Sequence, residues 1–187
     1  MIRALAIIPA KTDSTRLKKK NLRTINGKTL LEHSIEYAMG SKHISSIVVS
    51  TESDEVKSIC SSYEDILVVD RPIHLLKDTE VADVYVDVVQ NNDYPSITHV
   101  VGIQPDHPDR TNNLDEMLDY FVDNKYDDLV TVDSKGTRNG SVRITKFEYV
   151  LSGQMSRRVG SYLDDCTNIH DESDLKNAEK NISNYKK

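Results

Sequence analysis

The organisation of this chain is decided by one stretch near its start, Ile7-Ile8-Pro9-Ala10-Lys11-Thr12-Asp13-Ser14-Thr15-Arg16-Leu17-Lys18-Lys19-Lys20-Asn21. The continuous apolar run 4–8 is typical of a strand that is buried on both faces. Pro9 lacks a backbone donor, so the strand should end there. A basic loop follows. A positive loop at the carboxyl end of a central strand indicates a place where an anion binds.

The charge distribution supports this interpretation. Residues 1–28 hold eight Lys or Arg and one acid, whereas the remainder holds sixteen bases and twenty-nine acids. The loop contains no glycine, so it is neither a P-loop nor a G-x-G-x-x-G turn. On charge alone, a lysine run is more often a solvated loop than a binding site. Its position after a buried strand is what points to a ligand.

Composition narrows the classes of protein. The 187 residues suit one domain, 1–187, with a real core. A net charge of −6 argues against a nucleic-acid partner. No apolar run approaches the ~20 residues of a membrane helix, and residues 2–8 are too short for a secretory signal. We therefore expect no membrane association and a cytoplasmic protein, with Cys60 and Cys166 as reduced thiols.

Strand-like and helix-like segments alternate along most of the chain. Strands are predicted at 4–8, 46–50, 66–69, 98–103, 129–132 and 141–144. Helices are predicted to follow the capping box Thr29-Leu30-Leu31-Glu32, and to follow Ser53, Thr79, Asn112 or Asn113, and Asp171 or Ser173. This alternation predicts an α/β fold, a three-layer sandwich with a mostly parallel sheet. Ligands of such folds bind beyond the carboxyl ends of the strands, here the loops 9–21, 50–53, 70–78 and 104–111.

These loops and the segments around them carry a series of ordered motifs. They are Ile7-Ile8-Pro9-Ala10-Lys11 with Ser14 and Lys20-Asn21; Leu22, Gly27, Leu30-Leu31, His33 and Ile35; Val49-Ser50-Thr51-Glu52; Arg71-Pro72 with Leu75 and Asp78-Thr79; Ile103-Gln104-Pro105 with Pro108 and Arg110; and Ile169, Asp174-Leu175 and Ala178-Glu179. Taken in order, the set resembles the CMP-sugar synthetases, the acylneuraminate cytidylyltransferases and their relatives that activate Kdo.

The resemblance implies a nucleotide-diphospho-sugar transferase-like (Rossmann-like) fold and an enzyme that joins CTP to an acidic keto sugar with release of pyrophosphate. Lys20 would hold the triphosphate, and Lys11 and Arg16 would assist. Mg²⁺ would bridge the phosphate oxygens. The resemblance places the remaining substrate contacts on Ala10, Ser14, Asn21, Arg71, Asp78, Thr79 and Gln104. Among these, Arg71 and Asn21 would read the cytosine, and Gln104 would face the sugar.

The sequence departs from the family in four places. Lys11 replaces an arginine, so the bidentate grip on phosphate is lost. Asn168 and His170 align with metal-binding aspartates, although neutral amide and imidazole groups are poor partners for Mg²⁺. In Ile103-Gln104-Pro105-Asp106-His107-Pro108, an aspartate stands where the Kdo-activating relatives have Q-G-D-E-P. The resemblance therefore makes Asp106 the candidate metal ligand, with Asp171, or His170 itself, as its partner. The stretch near 132–140, which in the family builds a dimer arm and part of the sugar pocket, is shortened here. Any homodimer should thus be weaker than, or different from, the arm-exchanged dimer of the family.

Two alternatives follow from these departures. The short stretch near 132–140 favours a nucleotidyltransferase for another surface-polysaccharide precursor. Asn168 and His170 favour a nucleotide-binding protein that has lost catalysis. The sequence does not identify the sugar.

Overall fold

The opening apolar run forms the centre of the sheet. A computed structural model describes residues 1–14, 16–77, 79–154 and 156–185. In it, β1 (Ala4–Pro9) is buried at all six positions, and it pairs in parallel with β4 (Ile44–Thr51) and β6 (His99–Ile103). The strand ends at Pro9, as predicted, and Ala10 N then donates to Ser50 O at 2.9 Å. This pairing places the basic loop at the edge of the sheet where the parallel strands have their carboxyl ends.

The described residues form a seven-stranded sheet in the order β5-β4-β1-β6-β8-β7-β9. The remaining strands are β5 (Ile66–Asp70), β7 (Asp128–Val132), β8 (Arg138–Lys146) and β9 (Val159–Leu163). Only β8 runs antiparallel to its neighbours, so the predicted mostly parallel sheet is confirmed. A two-stranded hairpin, β2 (Thr24–Ile25) with β3 (Lys28–Thr29), lies apart from it.

Helices cover both faces of the sheet, which confirms the three-layer sandwich. They are α1 (Leu30–Met39), α2 (Asp54–Cys60), α3 (Val81–Gln90), α4 (Leu114–Asp123), α5 (Phe147–Ser152) and α6 (Glu172–Tyr185). Helices α1, α2 and α4 share one core with the sheet, and α3 and α5 share the other. Among the described residues, no helix combines the length and the apolar character needed to cross a membrane.

Helix α6 brings the end of the chain back to its beginning. Its buried Leu175, Ala178 and Ile182 pack with Leu17 of the basic loop and with Ile25 and Leu30. This third core fixes the segment that precedes α6 beside the loop that follows β1. The loop after β1 and the segment before α6 therefore meet at one edge of the sheet.

The predicted helix starts are confirmed except at Thr79. The capping box of Thr29 and Glu32 is present, Asn113 caps α4, and Asp171 accepts from the amides of Ser173 and Asp174. The prediction that Thr79 caps the next helix was wrong, because α3 starts at Val81. Thr79 Oγ1 donates instead to His74 O at 3.2 Å. The sequence reasoning also missed α5, β9 and the small hairpin, whose short segments lack a clear periodicity.

The stretch near 132–140, which was predicted to be shortened relative to the family, forms a tight hairpin loop between β7 and β8. Asp133 Oδ1 accepts from the amides of Lys135 and Thr137, and Gly136 N donates to Asp133 O. Gly136 has a φ of 79°, in the left-handed region that glycine adopts readily. This loop is closed on itself and projects no arm.

We expect Gly102→Ala to lower the free energy of unfolding by about 1–3 kcal/mol. A Cβ at this position in β6 would overlap the ring of Tyr85, a buried side chain of α3. Urea denaturation measures the change. Gly40→Ala is the matched control, since its Cβ would meet Glu36 O and Tyr37 O at an ordinary 3.5 Å. Equal losses in the two variants would contradict this packing account.

Candidate active site

The loops at the carboxyl ends of the parallel strands enclose a cleft of about 290 Å³. It is lined by Pro9, Lys11, Asp13, Ser14, Arg16, Leu17, Lys20, Asn21, Arg71, Thr79, Val81, Gln104, Pro105, Asp106 and His170. The structure thus brings together the basic loop after β1, the turn after β5, the loop after β6 and the segment before α6. Residues that are far apart in sequence meet here because all these loops leave the same edge of the sheet.

Two of the described residues that were predicted to contact substrate or metal do not line this cleft. Ala10 is fully buried, and its carbonyl accepts from Thr51 Oγ1 at 2.8 Å. Asp171 caps α6 instead of facing the cleft. Asp78 lies outside the described residues. Ala10 and Asp171 therefore support the loops of the site and do not lie at its surface.

The basic loop is held in place by its own backbone and by two neighbouring turns. Asn21 Nδ2 donates to Lys11 O at 2.8 Å, and Lys11 Nζ donates to Leu76 O at 3.0 Å. Thr12 donates from both its amide and its hydroxyl to Glu52 Oε1 at 2.8 Å. These hydrogen bonds attach the loop to the end of β4 and to the turn that follows β5. Because one amide hydrogen of buried Asn21 is committed to Lys11 O, its side chain keeps the carbonyl oxygen and a second amide hydrogen for a ligand.

The shortest charged contact in the cleft joins Lys20 and Asp106. Lys20 Nζ donates to Asp106 Oδ2 at 2.6 Å and to Ile169 O at 3.1 Å, and Ile169 N donates back to Asp106 O at 2.9 Å. The Lys20 and Asp106 side chains are only 18% and 15% exposed. Burial raises the pKa of Asp106, but His107 and Lys20 outweigh it and hold this pKa below its usual range. An ammonium and a carboxylate therefore face each other across the cleft at neutral pH.

Arg71 supplies a second cation from the opposite wall. It is 7% exposed, and its Nε donates to Leu75 O at 2.9 Å. Burial lowers the pKa of Arg71, while the nearby charges of Glu52 and Asp87 raise it. The guanidinium still stays charged at neutral pH. Its terminal nitrogens make no hydrogen bond within the described residues, so they are available to donate to a ligand.

Gln104 lies at the far end of the cleft, next to the strand β8. Its backbone amide donates to Ser141 O at 3.2 Å. A Cβ on Gly140 would lie 2.6 Å from Gln104 Nε2, and Gly140 has a φ of 79°. Glycine at this position therefore leaves room for the Gln104 side chain beside the cleft.

Sequence reasoning did not assign a role to the two charged residues that follow Pro108. Buried Asp109 accepts from the amide and hydroxyl of Thr167, at 2.8 and 2.7 Å, and from Asn181 Nδ2 at 2.8 Å. Arg110 donates to Ser141 Oγ at 2.8 Å and to the carbonyl of Gln104, and it lies over the ring of Tyr37. Both residues brace the loop after β6. The sequence feature that could have indicated this role is the position of Asp109 and Arg110 directly after Pro108, in the proline-containing loop at the end of a strand.

The predicted metal ligands do not converge on one point. In the described ranges, no three His, Cys, Asp or Glu side chains lie close enough to hold a metal ion together. Asp106 and His170 both line the cleft, whereas Asp171 caps α6. Asn168, which replaces one family aspartate, donates to Asn139 O at 3.4 Å. Of the predicted metal ligands, Asp106 is thus the carboxylate that lines the cleft beside the basic loop.

A larger hollow, about 440 Å³, lies between the small hairpin, α1 and α6. Its cations are already engaged, because Lys28 pairs with Glu36 at 2.7 Å and Arg110 braces the loop after β6. Of the strand-end loops, the one after β6 contributes residues 108–111 to its lining, whereas the basic loop that lines the smaller cleft does not appear in it. We therefore assign the chemistry to the smaller cleft.

Solved structures share this fold across nearly the whole chain. The CMP:2-keto-3-deoxy-manno-octonic acid synthetase complexed with CTP superposes with a TM-score of 0.77 at 12% identity, and covers 98% of this chain and 99% of its own. A cytidylyltransferase from Leptospira borgpetersenii superposes with a TM-score of 0.75 at 18% identity, covering 98% of this chain and 88% of its own. At these identities the likeness concerns the fold, and it confirms the predicted nucleotide-diphospho-sugar transferase-like architecture.

Curated relatives match over shorter segments. The 3-deoxy-manno-octulosonate cytidylyltransferase of Koribacter versatilis is 35% identical over 95 residues, which are 46% of this chain and 36% of that protein. The CMP-N,N'-diacetyllegionaminic acid synthase of Legionella pneumophila is 42% identical over 62 residues, 33% of this chain and 27% of that protein. The matches thus span about a third of these relatives' length. Residues 5–186 match the sequence model of the cytidylyltransferase family. Because that match takes in almost every residue, this chain belongs to the cytidylyltransferase family.

Proposed function

We propose that this chain transfers CMP from CTP to an acidic keto sugar of the sialic acid or Kdo type and releases pyrophosphate. The observation that carries the proposal is the Lys20–Asp106 contact, which places a cation and a carboxylate side by side in the cleft at the strand ends. The names of the matched relatives, CMP-sugar synthases and Kdo cytidylyltransferases, support the choice of substrates.

The basic loop would bind the triphosphate. Lys20 and the exposed Arg16 line the cleft together with Lys11. In the reaction, the sugar hydroxyl oxygen forms a bond to the α-phosphorus while the bond to pyrophosphate breaks and the hydroxyl proton is lost. Such a displacement depends mainly on positioning and on neutralising the charge that develops on the phosphate oxygens. Lys11 contributes less than the other two, because its ammonium already holds the Leu76 carbonyl.

Arg71 and Asn21 would select the base. The unengaged nitrogens of Arg71 can donate to the ring nitrogen and carbonyl of cytosine. Asn21 can accept from the amino group through its Oδ1, since its amide donates to Lys11 O. Thr79 lies on the same wall of the cleft. Together these groups would favour cytosine over uracil, which has a carbonyl in place of the amino group.

Gln104 would contact the sugar. It stands on the β8 side of the cleft, across from Arg71, in the room that Gly140 leaves. The hairpin loop 133–137 is short, so fewer side chains than in a longer loop could surround the sugar. This observation favours the alternative that the acceptor is another surface-polysaccharide precursor.

Asp106 fits the requirements of a magnesium ligand. Mg²⁺ is usually held by one or two carboxylates together with substrate phosphates and water. Asp106 is charged, and it lines the cleft beside Lys20, where the triphosphate would bind. His170 fits poorly because imidazole is a weak partner for this ion, and Asp171 already caps α6. When bound, Mg²⁺ would neutralise charge on the phosphate oxygens, and Asp106 would hold it against the triphosphate.

A second candidate is a nucleotide-binding protein without catalysis. It is favoured by Asn168 and His170, which leave Asp106 as the carboxylate available to a metal. A pyrophosphate-release assay with Mg²⁺, a panel of keto sugars and CTP, UTP or ATP separates the candidates. Release with CTP and one acidic keto sugar supports the proposal, whereas CTP binding without release on any sugar supports the second candidate. Release with UTP or ATP but not CTP would contradict the role of Arg71.

Lys20→Ala should reduce pyrophosphate release by about 100-fold or more, because the charge on the phosphates loses its nearest cation. Steady-state assays with CTP measure the loss, and circular dichroism checks that the fold is intact. Lys18→Ala is the matched control, since Lys18 is an exposed lysine of the same loop that does not line the cleft. Turnover near that of the wild type in Lys20→Ala would remove this residue from the phosphate site.

Asp106→Asn should raise the Mg²⁺ concentration needed for half-maximal release by about tenfold or more, because a neutral amide binds Mg²⁺ weakly. The measurement is a Mg²⁺ titration at saturating CTP. Asp13→Asn serves as control, since Asp13 is a second carboxylate of the same cleft. If the Mg²⁺ titration curve of Asp106→Asn coincides with that of the wild type, Asp106 does not bind the metal.

A further inference from the structure

His107 is a buried histidine beside the site, and the proposed chemistry gives it no task. Its side chain is 1% exposed, so it cannot touch a substrate in the cleft. Neither ring nitrogen makes a hydrogen bond within the described residues. Buried polar atoms in that state are rare and cost free energy. A side chain kept for packing alone would not need two such nitrogens.

The ring stands directly against the carboxylate of Asp106. His107 Nδ1 lies 2.9 Å from Asp106 Oδ1, but the two are poorly aligned, and Oδ1 also lacks a hydrogen-bond partner among the described residues. The other oxygen, Oδ2, is drawn to Lys20 at 2.6 Å. The orientation of the carboxylate is therefore set by Lys20 in this conformation, and the histidine contact is left unoptimised.

Lys20 and His107, the two side chains next to the Asp106 carboxylate, differ in how easily they can move away from it. Lys20 begins a single 3₁₀ turn, Lys20–Leu22, at the end of the basic loop. Its side chain is 18% exposed, and it faces the cleft into which an anion would come. His107 is enclosed and follows Asp106 within the sequence Pro105-Asp106-His107-Pro108, in which two prolines restrict the backbone. A triphosphate would compete with Asp106 for Lys20, whereas nothing in the cleft can reach His107.

We propose that His107 is a positioning residue that holds the Asp106 carboxylate in place for the metal when Lys20 turns to the triphosphate. Rotation about the broad χ2 torsion of aspartate would bring Oδ1 into line with a proton on His107 Nδ1. Oδ2, released by Lys20, would then face the cleft. This inference rests on the proposed function, because it assigns Lys20 to phosphate and Asp106 to a divalent cation.

The experiment compares His107→Leu, His107→Asn and His107→Gln with the wild type. The amide nitrogen of asparagine can replace Nδ1, whereas that of glutamine replaces Nε2. Mn²⁺ binding is measured by electron paramagnetic resonance with protein in excess over CTP and no sugar. CTP affinity without metal is measured by calorimetry, and thermal unfolding checks each fold.

We expect His107→Leu and His107→Gln to weaken Mn²⁺ binding by about 10–100-fold, as loss of a supporting contact does at metal sites. His107→Asn should stay within about threefold of the wild type, and CTP affinity should be unchanged in all. If His107→Leu does not fold, the difference in Mn²⁺ affinity between His107→Asn and His107→Gln tests the inference. Wild-type Mn²⁺ affinity in a folded leucine variant, or equal effects of asparagine and glutamine, would overturn the inference while leaving the proposed function intact. Failure of the wild type to bind CTP would overturn both.

Discussion

The contact between Lys20 and Asp106 is the interaction on which the site depends. It joins a loop that follows the first strand to a loop that follows the sixth, and Ile169 closes it from the segment before α6. Three separate parts of the chain must therefore be in place before the two charges can meet. Such a pair is costly to bury unless further hydrogen bonds support it, and the Ile169 carbonyl and amide provide them. In a site that binds a polyanion and a cation together, the same pair keeps both charges matched before either ligand arrives.

The fold supplies these supports through its core. Helix α6 packs on the basic loop through Leu17. Asp109 ties the loop after β6 to the segment before α6 through Thr167, and to α6 itself through Asn181. Buried charges that accept several hydrogen bonds define one arrangement of the backbone, because any other arrangement would leave them unpaired. Asp109, Thr167 and Asn181 thus hold the loops of the cleft in place without lining the cleft themselves.

Much of this arrangement can be predicted from the sequence. The central strand, the capping box at Thr29 and the caps at Asn113 and Asp171 depend on local chemistry, so residue types near one another in the chain suffice. The meeting of the loops follows from the rule that parallel strands end at one edge of the sheet. Membership of the cytidylyltransferase family follows from motifs in a fixed order.

What the sequence could not predict depends on tertiary contacts. Thr79 looked like a helix cap, but its hydroxyl bonds to the turn at His74 and α3 begins later. Asp171 resembled a metal ligand, yet its place at the start of α6 commits it to two amides. The partner of Lys20 lies 86 residues away, so no local pattern identifies it. The enclosure of His107 likewise becomes visible only when the chain is folded.

We propose above all that the basic loop beside the first strand binds the phosphates of CTP. A crystal structure of the protein soaked with CTP and Mg²⁺ tests it most directly. We expect the triphosphate to lie against Lys20 and Arg16, with the cytosine beside Arg71. A nucleotide bound elsewhere, or none at millimolar CTP while the lysines remain in solvent, would contradict the account.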